Sequence, residues 1–252
     1  MISPNDPTAE VVDVVYDAFT SAEQTKKEIN FITSQLKKGK TILDVGCGSG
    51  RHVLPLLKKG YQVIGLDNSK GMLKLLKEKL EKNNLQTEII YKDIRKIKKF
   101  DQKFAGIICF WGAFCEIAKT EQEARNVLEL FLDSLDTGGK LIIDIFNPKV
   151  IKPEALEYKS KVKKEGQIYE TSFKAIKFDK ETNITTSKEL IEIKENRKII
   201  KKLESEIVQR WWRKEELEKL AKKVGFSKIE LFGDDFLPFK KSSERMVLVA
   251  TK

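Results

Sequence analysis

At 252 residues, with 40% hydrophobic and 34% charged side chains, the chain can bury a sizeable core and has the composition of a soluble globular protein, which excludes collagen-like and disordered classes. No apolar run reaches the length of a membrane span, and the opening MISPNDPTAE lacks the basic segment and apolar stretch of a secretion signal, so a cytoplasmic protein with no membrane partner is expected. The formal charge of +10 permits a nucleic-acid partner, but lysine and glutamate are interspersed in KLLKEKLEK and KEELEKLAKK as on solvated helix faces, not gathered in one phosphate-binding stripe. The three cysteines, Cys47, Cys109 and Cys115, stand singly with no metal-ligand spacing, so neither a metal nor a disulfide framework is expected.

In chain order, Asp6 can cap a first helix with Pro7 at its first position, and Val11, Val15, Ala18 and Phe19 then share a face. Thr20 with Glu23 forms a capping-box pattern for a second helix carrying Ile29, Ile32 and Leu36. The run 42–45 reads as a buried strand that breaks into glycines at alternate positions, Gly46, Gly48 and Gly50. Glycine there accepts dihedral angles other residues avoid and leaves no Cβ to hold off a bound molecule. A helix follows from Arg51 or His52 to Gly60, so a ligand would sit over a strand's carboxyl end and near a helix's positive end. A dinucleotide fingerprint asks for another glycine where this chain has Arg51, which weakens a pyrophosphate reading.

A second strand, 61–66, ends in Asp67-Asn68-Ser69, where a carboxylate can accept from both hydroxyls of a ribose. Ser69 caps a helix bearing Met72, Leu73, Leu76 and Leu80. Strand 88–91 is followed by Asp93-Ile94, and strand 104–110 by Trp111 to Glu116. Cys109, within that fourth strand, reads as a buried small hydrophobe. Thr120 and Glu123 repeat the capping box, and Thr137-Gly138-Gly139 turns into a fifth strand, 141–146. Strands alternating with amphipathic helices give an α/β chain: a parallel sheet covered on both faces. After Pro148 the period changes to two, and three antiparallel strands are expected at about 167–179, 184–194 and 198–211. A helix at 214–224 and a final strand pair, 227–232 and 245–250, close the chain.

The stretch TILDVGCGSGRH resembles the nucleotide-binding motif of the class I S-adenosylmethionine-dependent methyltransferases, with RH close to a subgroup that modifies small molecules, and DTGGKLIIDIFNP resembles that family's fifth-strand region. The likeness spans essentially the whole chain. It implies a Rossmann-like class I methyltransferase fold with a reversed edge strand, a cofactor core at 1–148 and 213–252, and an antiparallel β insertion at 149–212 roofing the acceptor site. S-adenosyl-L-methionine would be the cofactor and S-adenosyl-L-homocysteine its product. The resemblance assigns to the cofactor Tyr16 in the YDAF stretch, Asp44, Gly46, Cys47, Gly48 and Arg51 around the glycine loop, Asp67, Asn68 and Met72 after the second strand, Asp93 and Ile94 at the adenine, and Phe110.

No NPPY-type motif follows the fourth strand, and FWGAFCEI resembles the aromatic, small-residue segment of small-molecule enzymes. Trp111 and Phe114 are therefore substrate-side candidates, the roofing role that the resemblance gives the insertion adds Tyr169, Arg210, Trp211 and Trp212, and Glu116 is the candidate base or acceptor-orienting residue. The expected reaction is in-line methyl transfer to an O or N atom of a small molecule, with a base needed only where the acceptor must lose a proton early. An RNA methyltransferase and a non-catalytic cofactor-binding regulator stand as alternatives, and monomer and homodimer are both open.

Overall fold

The structure is a computed structural model that describes residues 8–252. Asp6 and Pro7, and the side chains of Asp17 and Ala18, lie outside the described part. The elements in order are α1 (Thr8–Phe19), α2 (Ala22–Gln35), β1 (Thr41–Val45), α3 (Val53–Lys58), β2 (Gln62–Asp67), α4 (Lys70–Lys82), β3 (Ile89–Tyr91), β4 (Phe104–Cys109), α5 (Ala113–Ile117), α6 (Glu121–Ser134) and β5 (Leu135–Phe146). There follow β6 (Glu157–Lys164), β7 (Gln167–Asp179), β8 (Ile184–Glu195), β9 (Lys198–Arg210), α7 (Lys214–Val224), β10 (Lys228–Phe232) and β11 (Arg245–Thr251).

A 7-stranded sheet runs in the order β10-β11-β5-β4-β1-β2-β3. All neighbours from β5 to β3 pair in parallel, while β11 runs antiparallel to both β5 and β10. This is the expected Rossmann-like architecture, a mostly parallel sheet with the reversal confined to the pair at one edge. The central strands are apolar on both faces because helices cover both. Leu43, Ile107, Ile143 and Leu248 face α6 and α7 through Leu128, Phe131, Leu217 and Leu220. Ile42, Ile108, Ile142 and Val249 face α2, α3 and α4 through Ile32, Leu56 and Leu76.

A separate 4-stranded antiparallel sheet has the order β6-β7-β8-β9. Its extra strand, β6, corrects the expectation of three: EYKSKVKK alternates in burial, but its lysines hide the inward tyrosine and serine. Hairpin turns at Glu165-Gly166 and Asn196-Arg197 hold successive residues at positive φ, as two-residue turns between twisted strands require. On the outer face lysines pair with glutamates across strands, as in Lys161–Glu170 at 2.9 Å and Lys188–Glu204 at 2.7 Å. On the inner face Ile191 and Ile193 pack with Val11, Val12 and Val15 of α1 and Met72 of α4. Helix α1 thus joins the second sheet to α4.

Local starts follow side-chain chemistry. Ser69 accepts from the Met72 N–H and Thr120 and Glu123 form a reciprocal capping box, as their sequence patterns require. The cap of α2 is Ser21, accepting from Gln24 N–H, not Thr20, whose hydroxyl instead bonds back to the Tyr16 carbonyl. Pro55 falls in the first turn of α3, where it has no intrahelical donor to lose. Strand β5 begins at Leu135, ahead of the expected start, because 135–139 continue the ladder beside Phe104 after a register shift.

Candidate active site

The carboxyl ends of β1, β2 and β3 lie side by side in one parallel ladder. At the first, Asp44 is 1% exposed, and its Oδ2 finds no hydrogen-bond partner among the described residues. Burial pushes its carboxyl up to about 7, opposed by the Arg51 charge and helped by Asp67. Gly46, at φ 72°, is closed over by Ala113, whose Cβ would lie 2.8 Å from an added methyl. Gly48, at φ 53°, is different: an added Cβ would meet nothing within 4 Å, so the loop opens there onto free space. Cys47 is buried, its thiol 3.7 Å from the Gly48 carbonyl, so only its backbone can face a ligand.

At the second tip the Asp67 carboxylate accepts from Gly48 N–H at 2.9 Å and from Ser69 N–H at 2.8 Å. Two backbone donors orient it while leaving lone pairs for a diol. Burial raises its carboxyl above the usual range, and those backbone donors oppose the rise. Asn68 beside it is exposed, and Met72 is buried among α1 valines. At the third tip Asp93 is held by Arg95 through Nε at 3.0 Å and Nη2 at 2.7 Å. Arg95 therefore shares the Asp93 carboxylate with any donor that reaches it. Ile94 is buried in the core next to it.

Beyond β4 the chain turns at Trp111, which is 37% exposed and sits at φ 58°. A non-glycine residue there costs energy unless its surroundings hold it. They do: Trp111 N–H donates to Asp144 Oδ2 at 3.0 Å and its indole N–H donates to Glu28 Oε1 at 3.2 Å. Glu28, 0% exposed on α2, also accepts from His52 Nε2 at 2.8 Å, from Arg245 at 3.1 Å and from Arg51. Arg245 in turn grips Asp144 through Nε at 3.0 Å and Nη2 at 2.7 Å. Burial alone would raise the Glu28 carboxyl, but the His52 hydrogen bond and the charges of His52, Arg51 and Arg245 outweigh it and bring it to about 2. Burial lowers the His52 ring, and its hydrogen bond to Glu28 opposes that shift. Phe110 packs on that ring at 4.8 Å. This network ties α2, the glycine loop, the β4 tip and β11 together.

None of Glu28, Asp144 or Arg245 was expected at the site. Asp144 is a single charge in the apolar run LIIDIF, which was the available signal, whereas Glu28 follows Lys26-Lys27 and carried none.

Glu116 lies on α5 with an exposed surface; desolvation raises its carboxyl, the Lys119 charge opposes the rise, and Asp67 and Glu189 add to it. Tyr16 is 39% exposed at the end of α1. Three substrate-side expectations need correction, Trp211 among them: Phe114 is 0% and Trp212 1% exposed, packed together in the core, with the Trp212 indole N–H given to the Ala118 carbonyl at 3.1 Å. Their large apolar surface is worth more buried than facing a wet pocket. Trp211 is likewise buried, at 3% exposure. Arg210 stacks on Trp212 at 3.8 Å, and Tyr169 borders the valines of α1, its hydroxyl on Gln167. Cys109 is buried, and burial holds its thiol well above the usual range. No group of acidic, cysteine or histidine side chains suited to a metal occurs among the described residues, and no helix among them is long and apolar enough to cross a membrane.

Residues 42–139 match the family described as "Methyltransferase domain". A curated glycine/sarcosine N-methyltransferase of Aphanothece halophytica is 27% identical over 139 residues, 54% of this chain and 52% of that protein. The chain spans about half the length of the curated relatives it matches. Among solved structures, an S-adenosylmethionine-dependent methyltransferase from Clostridium acetobutylicum superposes with TM-score 0.77 at 18% identity, covering 96% of each chain. An amino pentose methyltransferase from Micromonospora echinaspora, solved with its methyl donor bound, superposes with TM-score 0.75 at 18% identity, again over 96% of each chain.

Proposed function

We propose that this chain, whose residues 42–139 match a methyltransferase domain and whose fold is that of solved S-adenosylmethionine-dependent methyltransferases, is a class I methyltransferase that moves a methyl group from S-adenosyl-L-methionine to an O or N atom of a small molecule. The observation that carries the reading is the unpartnered Asp44 Oδ2 beside the open space at Gly48, with the braced Asp67 carboxylate on the neighbouring strand. A buried carboxylate oxygen without a partner costs about 1–3 kcal/mol, which an amino-acid ammonium group would recover. Bound there, the cofactor supplies an electrophilic methyl group on a sulfonium.

The protein's part is to hold and align. Asp44 and the loop through Gly48 take the amino-acid portion, Asp67 accepts from the ribose hydroxyls, and Asp93 with Ile94 borders the base. Tyr16 and Trp111 border the methyl side, and Glu116 orients the acceptor and receives its proton where one must leave. Residues 149–212 act as an insertion that roofs the acceptor, on a core formed by 1–148 and 213–252. The RNA reading is less favoured because lysines on the second sheet's outer face, such as Lys161 and Lys188, are paired with glutamates across the strands. Calorimetry with S-adenosyl-L-methionine tests cofactor binding. Labelling of a metabolite extract against total RNA tests the acceptor: salt-sensitive labelling of RNA alone would contradict the small-molecule reading.

A further inference from the structure

The inner face of the second sheet carries polar groups that the fold leaves unsatisfied. The register sets Tyr158, Phe173, Glu189 and Ser205 in one row across β6, β7, β8 and β9. Tyr158 stacks on Phe173 with centroids 4.9 Å apart and planes 7° from parallel, and Phe19 of α1 meets Tyr158 edge-on at 4.9 Å. Glu189 is 3% exposed; its Oε2 accepts from the Ser205 hydroxyl at 3.2 Å, and its Oε1 finds no partner among the described residues. The hydroxyls of Ser160 and Thr171 on one flank of the row and of Ser187 on the other are also buried without partners.

The row's place in the fold decides what it faces. One end of the inner face packs on α1 through Ile191 and Ile193. At the other end β9 packs against α5, the helix of Glu116, and leads into Trp212, which packs on Phe114. The row therefore lies on a sheet held by α1 on one side and, through β9, by α5 on the other, the helix that directly follows the carboxyl end of β4. Burial raises Glu189, and its charge raises Tyr16, Tyr158 and Glu116, as expected of groups around one cleft.

Resting on the methyltransferase reading, we propose that the acceptor is a hydroxyl-bearing aliphatic primary or secondary amine, whose ammonium group is bound by Glu189 Oε1 beside the Tyr158–Phe173 pair. A carboxylate with aromatic faces next to it suits a cation, and the flanking hydroxyls suit a polyol frame. In the reaction the ammonium gives a proton to Glu116. The freed nitrogen lone pair then forms a bond to the methyl carbon while the carbon–sulfur bond breaks and its electron pair passes to sulfur. The product is again a cation, an N-methylated ammonium, and the proton leaves Glu116 for water.

The test loads the protein with S-adenosyl-L-homocysteine and titrates it with D-glucosamine and ethanolamine, and with their hydroxyl-only counterparts D-glucose and ethylene glycol. The amines are expected to bind and the counterparts not, and Glu189→Gln, which keeps the shape and removes the charge, is expected to weaken the amines about tenfold or more with cofactor affinity unchanged. Binding of the counterparts as tightly as the amines, no binding of either amine, or full amine affinity in Glu189→Gln would each overturn the inference. Failure of S-adenosyl-L-homocysteine itself to bind would instead remove the methyltransferase reading beneath it.

Discussion

Gly48 donates its backbone N–H to the carboxylate of Asp67 at 2.9 Å, across 19 residues of chain. The bond joins the glycine loop after β1 to the tip of β2, so the two tips form one rigid unit. Asp67→Ala removes the proposed ribose acceptor and the brace of the loop together. Calorimetry with S-adenosyl-L-methionine is expected to show a loss of about 1–3 kcal/mol, roughly tenfold to a hundredfold in Kd. Unchanged affinity would remove Asp67 from the site.

The glycines of the loop separate stability from binding. Gly50 sits at φ 90° with Leu76 Cδ1 only 2.3 Å from where a Cβ would be, so Gly50→Ala must displace core atoms and is expected to lower the melting temperature by several degrees. Gly48→Ala adds its methyl to open space and costs only the positive-φ penalty of about 1–2 kcal/mol. Its larger effect is expected on cofactor affinity, measured on the folded variant. Equal loss of binding per unit of stability in both variants would contradict this division.

Glu28 predicts the acid limit of the fold. Its folded carboxyl lies near 2 against an ordinary value of 4.5, so its stabilisation is present above about 4.5 and is lost as pH falls toward 2. The amount is on the order of 3 kcal/mol for such a shift. Melting temperatures between pH 5 and 2 are expected to fall less steeply in Glu28→Gln than in the parent. Glu28→Ala leaves Arg51 and Arg245 short of a partner and is expected to cost about 3–5 kcal/mol at neutral pH. Parallel melting curves for parent and Glu28→Gln would contradict the network's role.

Asp44 predicts a proton linkage of opposite sign. Its folded value is raised from 3.8 to about 7, so without ligand its contribution to stability is greatest below about 4 and declines as pH rises through 7. An ammonium group paired with it favours the ionised form. Cofactor binding near pH 6 is then expected to release a proton and to tighten as pH rises toward 7. Calorimetry in two buffers of different ionisation heat measures the proton count, and zero release at pH 6 would contradict the Asp44 assignment.

The strand tips proposed to hold the cofactor were legible because each of their groups follows a strand signal at short range: the glycines after 42–45, Asp67 after 61–66, Asp93 after 88–91. The Glu28 network was not, because its partners lie 23, 24 and 83 residues away, at Arg51, His52 and Trp111, and only the packing of α2 brings them together. Phe114 and Trp212 read as pocket aromatics from their position after β4 and β9, yet they meet each other in the core, where a buried ring contributes more than one held in water. Glu189 left a trace that was passed over. It holds the same inward parity as Thr185, Ser187, Ile191 and Ile193, and a charge on the covered side of a strand calls for a partner.

The most direct measurement is a crystal structure of the protein with S-adenosyl-L-homocysteine. The amino-acid portion is expected against Asp44 and Gly48, the ribose on Asp67, the base beside Asp93 and Ile94, and the sulfur directed toward the interval between Tyr16, Trp111 and Glu116. Density for the ligand elsewhere on the molecule, with those strand tips unchanged, would contradict the account.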